Sequence, residues 1–498
     1  MTTTGVGADL AVDVAIVGAG PVGTTLAALL AQAGVSVCVL ECDTDVYPLP
    51  RAAHVDGETV RTLRQIGAWS QDPGWSIANE GMDFLTADGQ LLIRMTALPD
   101  SEHTVAPSNL FHQPSLDRLL RERAQALGAR ILLGHEVVSI SERSDAVVVE
   151  AHAAEGKKLA VEAAWVVGCC GARSFTRRFL GTGQIDLDFD EPWLVVDVIL
   201  DESVPDDLRR TRQVCDPARP HTIVPMPWPR RRFEFMLLPG EDPEAIDRPE
   251  VITELMAPYL ESGRATVERS AVYTFHGLIA NEWRRGRVLL AGDAAHQMPP
   301  FLGQGMCSGV RDALNLAWKL SSVIRGADQS LLDTYRTERS PHVQAIVESA
   351  VGFGRVICTL DADEAAGRDA MMLAARAENP TDMGGAPMPR LSESPLIAEN
   401  GGYLVSDGRA GAQHFDGIQD GRWCIVIRDD SSIDAGVRTL IESLGGFVLV
   451  AVPGTVTARI LHHANSDVVV VRPDRIVLGH GSGALENLRA AASRFGLT

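Results

Sequence analysis

The chain has 498 residues, 45 % of them apolar, and a formal net charge of −20 at pH 7, enough length for about two to four domains with separate cores. The acidic balance excludes nucleic acid and anionic membrane surfaces as partners, since both need a basic footprint. An anionic substrate would need a local arginine pocket, and 42 of the 45 basic residues are arginine, all but Lys157, Lys158 and Lys319.

The eight cysteines follow no disulfide framework, and the adjacent Cys169 and Cys170 form no metal motif, so reduced thiols are expected. The start MTTTGVGADL lacks the pattern of a signal peptide, and no apolar run reaches the roughly 18 residues of a membrane span. The expectation is a cytoplasmic protein.

In chain order, the first chemical signal is VDVAIVGAGPVGTTLAALLAQAGVSVCVLE, Val12 to Glu41. A strand-like apolar run leads into Gly18, Gly20, Pro21, Val22 and Gly23, then a helix pattern, then a second strand ending on Glu41. Gly18 permits the turn, Gly20 lets a pyrophosphate approach the backbone, and Gly23 lets helix and strand pack closely. The helix N-terminus offers unpaired N–H groups to phosphate, and Glu41 is placed for a ribose hydroxyl.

PRAAHVDGETVRTLRQIG follows, Pro50 to Gly67. Asp56 fits the N-cap of a helix over GETVRTLRQIG. His54 has the intrinsic pKa of a base, and it fits a surface or cofactor-side residue equally well. PWLVVDVIL and RRFEFMLLPG read as strands of an antiparallel sheet, with Arg230 to Arg232 as a solvated strand edge in preference to a carboxylate clamp.

RVLLAGDAAH, Arg287 to His296, reads as another buried strand. It ends in Asp293, a carboxylate for a second ribose or ribityl hydroxyl. After Pro299 and Pro300, the turn Gly303, Gln304, Gly305 and Met306 opens a helix with Val310, Leu314, Ala317 and Leu320 on its apolar face. That helix end would stabilise the negative charge of a reduced flavin, so the two glycine stretches together build one FAD site. His296 reads as structural or flavin-adjacent, and no histidine shows metal-ligand spacing. ENPTDMGGAPMPRLSESP from Glu378 reads as a linker, and RWCIVI, GFVLVAVPG and SDVVVVRPDRIVLG read as strands before a closing helix, GALENLRAAASRF.

These motifs, with HQPSLDRLLRERAQALGA from His112 and GARSFTRRFLG from Gly171, resemble the FAD-dependent aromatic hydroxylases over about residues 10 to 350. These are single-component flavoprotein monooxygenases, and the nearest likeness is to 3-(3-hydroxyphenyl)propionate hydroxylases. The resemblance implies an α/β fold: a Rossmann-like FAD-binding domain of the p-hydroxybenzoate hydroxylase type, an inserted substrate-binding β-sheet domain and a thioredoxin-like C-terminal domain. The expected boundaries are 10–75, 110–180 and 277–352 for FAD, 76–109 and 181–276 for substrate, 353–395 for a helix and linker, and 396–498 for the tail. Cys424 is the tail's only cysteine, so disulfide exchange is not expected there. The tail is read as packing or homodimer support.

The resemblance also implies tightly bound, noncovalent FAD, with Arg51, Gln113, Val137 and Pro300 joining the motif residues at the cofactor. NADH or NADPH would dock transiently, since there is one dinucleotide fingerprint, and molecular oxygen would give a flavin C4a-hydroperoxide that hydroxylates a small aromatic substrate. Ortho-hydroxylation of a phenolic acid is the expected reaction, with a polyketide hydroxylase and a flavoprotein oxidase as alternatives. A flavin halogenase is disfavoured, since the first 156 residues hold no lysine and no W-x-W-x-I-P element is present. Asp56 falls where phenol hydroxylase has an acid facing the substrate, so Asp56 and His54 are the candidate proton acceptors and the N-cap reading of Asp56 stays open. Cys170 and Cys307 stand where many members of the family carry Asp and Asn.

Overall fold

The computed structural model describes residues 8–48, 51–70, 73–97, 104–153, 156–384 and 388–497. Pro50 of the Pro-Arg-Ala motif and part of the linker lie outside them.

The strand Leu10–Val17 is followed by the helix Pro21–Gln32 and the strand Val37–Leu40, and every residue of Val14–Val17 and Val37–Leu40 is buried. Strands buried on both faces read as continuous apolar runs, as in sheets covered by helices. The sheet runs Arg284–Arg285, Val288–Leu290, Lys158–Gly168, Leu10–Val17, Val37–Leu40 and Arg130–Leu132. Neighbours from Val288–Leu290 to Arg130–Leu132 are parallel. The sheet is mixed. Arg284–Arg285 is antiparallel to Val288–Leu290, and the hairpin His135–Glu142/Val147–Ala153 joins Lys158–Gly168 antiparallel. These connections are too short for a crossover, so the chain can only fold back.

The second sheet has nine strands. Its centre is formed by Ala265–Ala280, Gln184–Leu200, Arg230–Met236 and His221–Pro225, paired antiparallel as expected. Two of its junctions are parallel instead, Thr211–Val214 with Gly81–Leu85 and Leu91–Thr96 with Met383–Gly384. Each joins segments far apart in the chain, where no hairpin dictates direction. The linker thus supplies an edge strand. Leu194, Val196, Phe233 and Phe235 on the back of this sheet pack with Ile252 and Met256 of the helix Pro249–Met256. Trp193, Met236 and Phe84 on the other face join the core around the first sheet.

The tail forms a four-stranded sheet, Phe447–Val450, Cys424–Ile427, Val468–Val471 and Val477–His480, closed by the helix Ser482–Phe495. SDVVVVRPDRIVLG makes two of those strands, since it turns between Val471 and Val477. Among the described residues no single helix is long and apolar enough to cross a membrane.

A buried ionic cluster fastens the tail to the helices Gly305–Ile324 and Asp333–Ile357. Glu338 accepts from Lys319 at 2.7 Å and Arg472 at 2.9 Å, all three side chains fully buried. Asp474 pairs with Arg472 at 2.5 Å, and Asn315 donates to Glu338 and Asp474 at 2.9 and 3.1 Å. Burial opposes the charge on Glu338, but Arg472 and Lys319 hold its carboxyl down to about 2, against an ordinary 4.5. A depressed carboxyl pKa contributes stability that is complete above the unfolded value and is lost as pH falls through the folded one. We therefore expect stability to fall between pH 4.5 and about 2 as Glu338 is protonated. Arg472→Met, which strands two buried carboxylates, should cost about 3–5 kcal/mol, read from chemical denaturation at pH 7.

Candidate active site

The glycine motifs converge through backbone contacts. Gly18 takes φ +107°, and a Cβ there would lie 2.5 Å from the Cys169 carbonyl oxygen; a Cβ on Gly23 would lie 2.0 Å from that of Gly18. A Cβ on Gly20, by contrast, meets nothing within 4 Å. The space in front of the helix N-terminus is therefore a cradle that one methyl would begin to fill, and the first-turn N–H groups have no intrahelical acceptors. Pro21 opens the helix at its first position.

Around this cradle the structure gathers most of the expected cofactor residues. Glu41 accepts from the Ala19 N–H at 2.6 Å and from the Asp43 N–H at 3.0 Å. His135 N–H donates to the Glu41 carbonyl at 2.7 Å, so the strand carrying Val137 starts beside Glu41; Val137 itself is buried in the core. Val22 packs against Gly292 and Gly309, bringing the Gly-Asp turn to the same helix. Asp293 in that turn is exposed, while Arg177 donates to the carbonyls of Asp293 and Ala294 at 3.4 and 3.1 Å. A Cβ on Gly171 would face the Arg51 guanidinium at 3.9 Å. Gln113 is 6 % exposed and its Oε1 is buried without a hydrogen-bond partner. A free phosphate-facing backbone, carboxylates at both ends and an unpaired buried amide oxygen fit a long dinucleotide such as FAD.

The turn at the far end of the site is set by His54. Gly303 takes φ +63°, and its carbonyl accepts from His54 Nδ1 at 3.0 Å. Burial lowers the His54 pKa, so the ring is neutral and Nε2 accepts from the Ser108 hydroxyl at 2.9 Å, which in turn accepts from Asn79 at 3.0 Å. Both His54 nitrogens are engaged. Its place is the cofactor side, and it is not poised as a base. Gln304 Oε1 accepts from Arg311 at 3.0 Å, and Gly305 and Met306 begin the helix Gly305–Ile324. Pro300 opens the single turn before it, and the adjacent Phe301 is buried. Val310, Leu314, Ala317 and Leu320 are buried as expected.

For Asp56 the structure favours the N-cap reading over the proton-acceptor one. Asp56 is the N-cap of the helix Gly57–Gln65, with Oδ1 accepting from Thr59 N–H at 2.8 Å and Oδ2 from Arg311 at 2.5 Å. Burial would raise its carboxyl, but Arg311 and the Thr59 N–H hold it well below the ordinary range. A carboxylate so stabilised is a poor proton acceptor near neutral pH. Arg232 also departs from expectation. It is 4 % exposed and grips Asp197 through Nε at 2.7 Å and Nη2 at 3.0 Å, while Nη1 donates to the Arg51 carbonyl. Arg230 pairs with Glu268 at 2.9 Å. Arg230 and Arg232 face pairing partners on other strands and are not a solvated edge.

His296 is structural. Its Nε2 meets Asp312 at 2.6 Å, and Asp312 also accepts from Gly292 N–H at 3.1 Å and Arg339 at 2.9 Å. Cys170 lies 3.0 Å from the Ser174 hydroxyl. Cys307 is fully buried, and burial pushes its thiol up to about 12, which makes it a neutral packing group. Glu41, Cys42 and Asp43 are close enough for a metal, but burial and the flanking carboxylates push the Cys42 thiol up to about 12, leaving it protonated and a poor ligand. Sequence reasoning missed Glu234, Gln213 and Thr222, buried polar groups on the sheet face toward this site. Their signal was a polar side chain at the inward position of an apolar strand, as in RRFEFM.

A dinucleotide cradle beneath a broad sheet is the arrangement of an FAD-binding enzyme. Residues 11–350 match the family described as FAD binding domain. The chain is 42 % identical over 448 residues to a probable NADH-specific resorcinol 4-hydroxylase of Rhodococcus jostii, covering 88 % of this chain and 83 % of that one. It is 35 % identical over 500 residues to a 3-(3-hydroxy-phenyl)propionate/3-hydroxycinnamic acid hydroxylase of Mycolicibacterium smegmatis, covering 96 % and 86 %. The aklavinone-11 hydroxylase complex with FAD and aklavinone shares the fold, with TM-score 0.78 at 22 % identity over 98 % of this chain and 100 % of that one. The chain belongs to the FAD-binding-domain family of aromatic hydroxylases, and FAD is its cofactor.

Gly20→Ala should leave the apoprotein's unfolding midpoint unchanged, because nothing in the fold meets the new methyl, and should weaken FAD by about tenfold or more. Glu41→Ala and Asp293→Ala should each weaken FAD by about 10- to 150-fold, the worth of one charged hydrogen bond. Fluorescence titration of apoprotein with FAD checks all three.

Proposed function

We propose that this enzyme uses NADH to hydroxylate a small phenol ortho to its hydroxyl group. The carrying observation is the convergence of both glycine motifs under a sheet face that is aromatic at one side and ionic at the other. When bound and reduced, FAD supplies the activation of dioxygen and the transfer of one oxygen atom to the ring. The residues supply binding, orientation and exclusion of water. The Gly18–Gly23 backbone and its helix dipole take the pyrophosphate, Glu41 and Asp293 take sugar hydroxyls, and the N-terminus of Gly305–Ile324 stabilises negative charge on the ring system. His54 holds Gly303 in place for that approach. Phe84, Trp193 and Phe301 are each no more than 1 % exposed and keep water from the reacting ring.

The ion pairing favours a neutral phenol. Arg230, Arg232 and Arg269 are the arginines of the paired strands on the face toward this site, and all are committed to carboxylates, Arg230 to Glu268 at 2.9 Å and the other two to Asp197, Arg269 at 3.1 Å. A dihydroxybenzene fits this arrangement, and a relative at 42 % identity is named for resorcinol and for NADH. A phenolic acid such as 3-(3-hydroxyphenyl)propionate is the second reading, favoured by the names of relatives at 35 to 38 % identity. A polycyclic substrate has the fold likeness alone behind it, and the tail is proposed to support packing or a homodimer.

Oxidation of NADH and NADPH across neutral phenols, phenolic acids and polycyclic phenols, with product quantified, tests this reading. We expect hydroxylated product from a neutral dihydroxybenzene with kcat/KM about tenfold or more above that for any phenolic acid, about 1.4 kcal/mol in transition-state binding. The reverse order would establish the phenolic acid. Cys170→Asp, which adds a charge next to Gly171 and Arg51, should change the KM for the nicotinamide more than that for the phenol.

A further inference from the structure

Sheet register singles out a carboxyl that lies in none of the flavin motifs. Side chains alternate between faces along a strand. On Arg230–Met236, Phe233 and Phe235 belong to the core behind the sheet, and Met236 to the core on the FAD side. Glu234 therefore points with Arg232 and Met236 toward the FAD-binding sheet.

Three adjacent rows cross that face. One is Met236, Trp193 and Tyr273. The next is Phe84, Gln213, Thr222, Glu234, Val195 and Ala271. The third is Val224, Arg232, Asp197 and Arg269. The first row reaches one flavin segment, since the Trp193 ring meets Phe301 edge-on at 5.6 Å. The third reaches the other, through Arg232 to the Arg51 carbonyl and Arg269 to the Pro48 carbonyl at 3.0 Å. Val224 also packs in one cluster with Ala53, next to His54. The middle row thus lies between the rows that contact the two segments.

Within that row Thr222 donates to Gln213 at 2.5 Å, and Phe84, Val195 and Ala271 are apolar. Glu234 is its one ionisable group. It is 8 % exposed and accepts no hydrogen bond from the described residues; Arg232 Nη1, 3.8 Å away, is its ion-pair partner, and that guanidinium is already forked onto Asp197. Buried carboxyls ordinarily have donors, so one that lacks them on the sheet face turned toward the FAD motifs is suited to a hydroxyl brought by a ligand.

We infer that Glu234 is the proton acceptor for the substrate phenol. The phenolic O–H bond breaks, the proton passes to a Glu234 carboxylate oxygen, and the electron pair stays on the phenolate oxygen, which enriches the ortho and para ring carbons. This assignment rests on the phenol-hydroxylase reading above. The charged groups acting on Glu234 are Arg232 on its own strand and Asp197 on the next, with Arg230, Arg269 and Tyr273 on the same sheet face and His112 beside Asp197 from the FAD side. Burial raises the carboxyl to about 7, opposed by Arg232 and reinforced by Asp197. The group accepts a proton above that pH and is already protonated below it.

The test is the pH dependence of single-turnover hydroxylation of a phenol by the holoenzyme, with FAD content measured for each variant. The wild-type rate should rise with pH through a midpoint near 7, as Glu234 becomes free to accept a proton. Glu234→Gln should remove that midpoint, and Glu234→Asp should keep a midpoint at a shifted pH. Single-turnover hydroxylation by Glu234→Gln should fall about 100-fold or more. An unmoved midpoint in both variants at full FAD content overturns the assignment while leaving the function intact. A wild type that hydroxylates no phenol of the panel overturns the functional reading itself, and this inference with it.

Discussion

The site exists because three passes of the chain approach one helix end at backbone distance. A Cβ on Gly23 would stand 2.0 Å from the Gly18 carbonyl, and one on Gly309 would stand 2.4 Å from the Val22 side chain. Close packing tolerates no such overlap. With those positions bare, Gly292 and Asp293 reach the helix Pro21–Gln32 from one side and Cys169 to Gly171 from the other. The cradle, both carboxylates and Arg51 are then consequences of one packing solution. The same approach brings the nine-stranded sheet down over the site, through Phe301 on Trp193 and Arg51 on Arg232.

Arginine is the fastening used between the layers. Arg232 and Arg269 share Asp197, Arg311 holds Asp56 and Glu58, Arg61 holds Asp416, and Arg472 holds Glu338 and Asp474. A planar fork with several donors can satisfy two carboxylate oxygens and a carbonyl at once, which an ammonium cannot. That geometry gives the preponderance of arginine a structural use, since these side chains are bound to protein acids and are not free to clamp a substrate carboxylate. It also isolates Glu234. Its neighbouring guanidinium is committed elsewhere, so burial is left as the main influence on its proton.

Removing one partner of such a buried pair leaves a bare charge in a medium of low polarity, a larger loss than the pair's own net contribution. The tail is attached in this way through Glu338 and Arg472, and the helix Gly57–Gln65 is attached to it through Arg61. Movement of the tail against the FAD-binding sheet would expose several carboxylates together. The fold therefore keeps the three sheets in fixed register, which a site assembled from all parts of the first 350 residues requires.

The sequence alone determined the FAD-binding motifs, some of the strands in each of the three regions and the helix Gly305–Ile324, because each rests on a local requirement: a positive φ at Gly18, a run of buried apolar residues, a period of 3.6. Gly20 was legible as the neighbour of a phosphate, and Gly23 as a close packing point, for the same reason. Only the tertiary structure decided what depends on partners distant in the chain. Asp56 could be read as an N-cap or as a base until Arg311, 255 residues away, and the Thr59 N–H took its two oxygens. Arg232 looked solvated until strand register set Asp197 opposite it. Glu234 drew no notice in RRFEFM, since the face a strand turns toward a cofactor is fixed by the packing of its neighbours and leaves no mark on the strand's own residues.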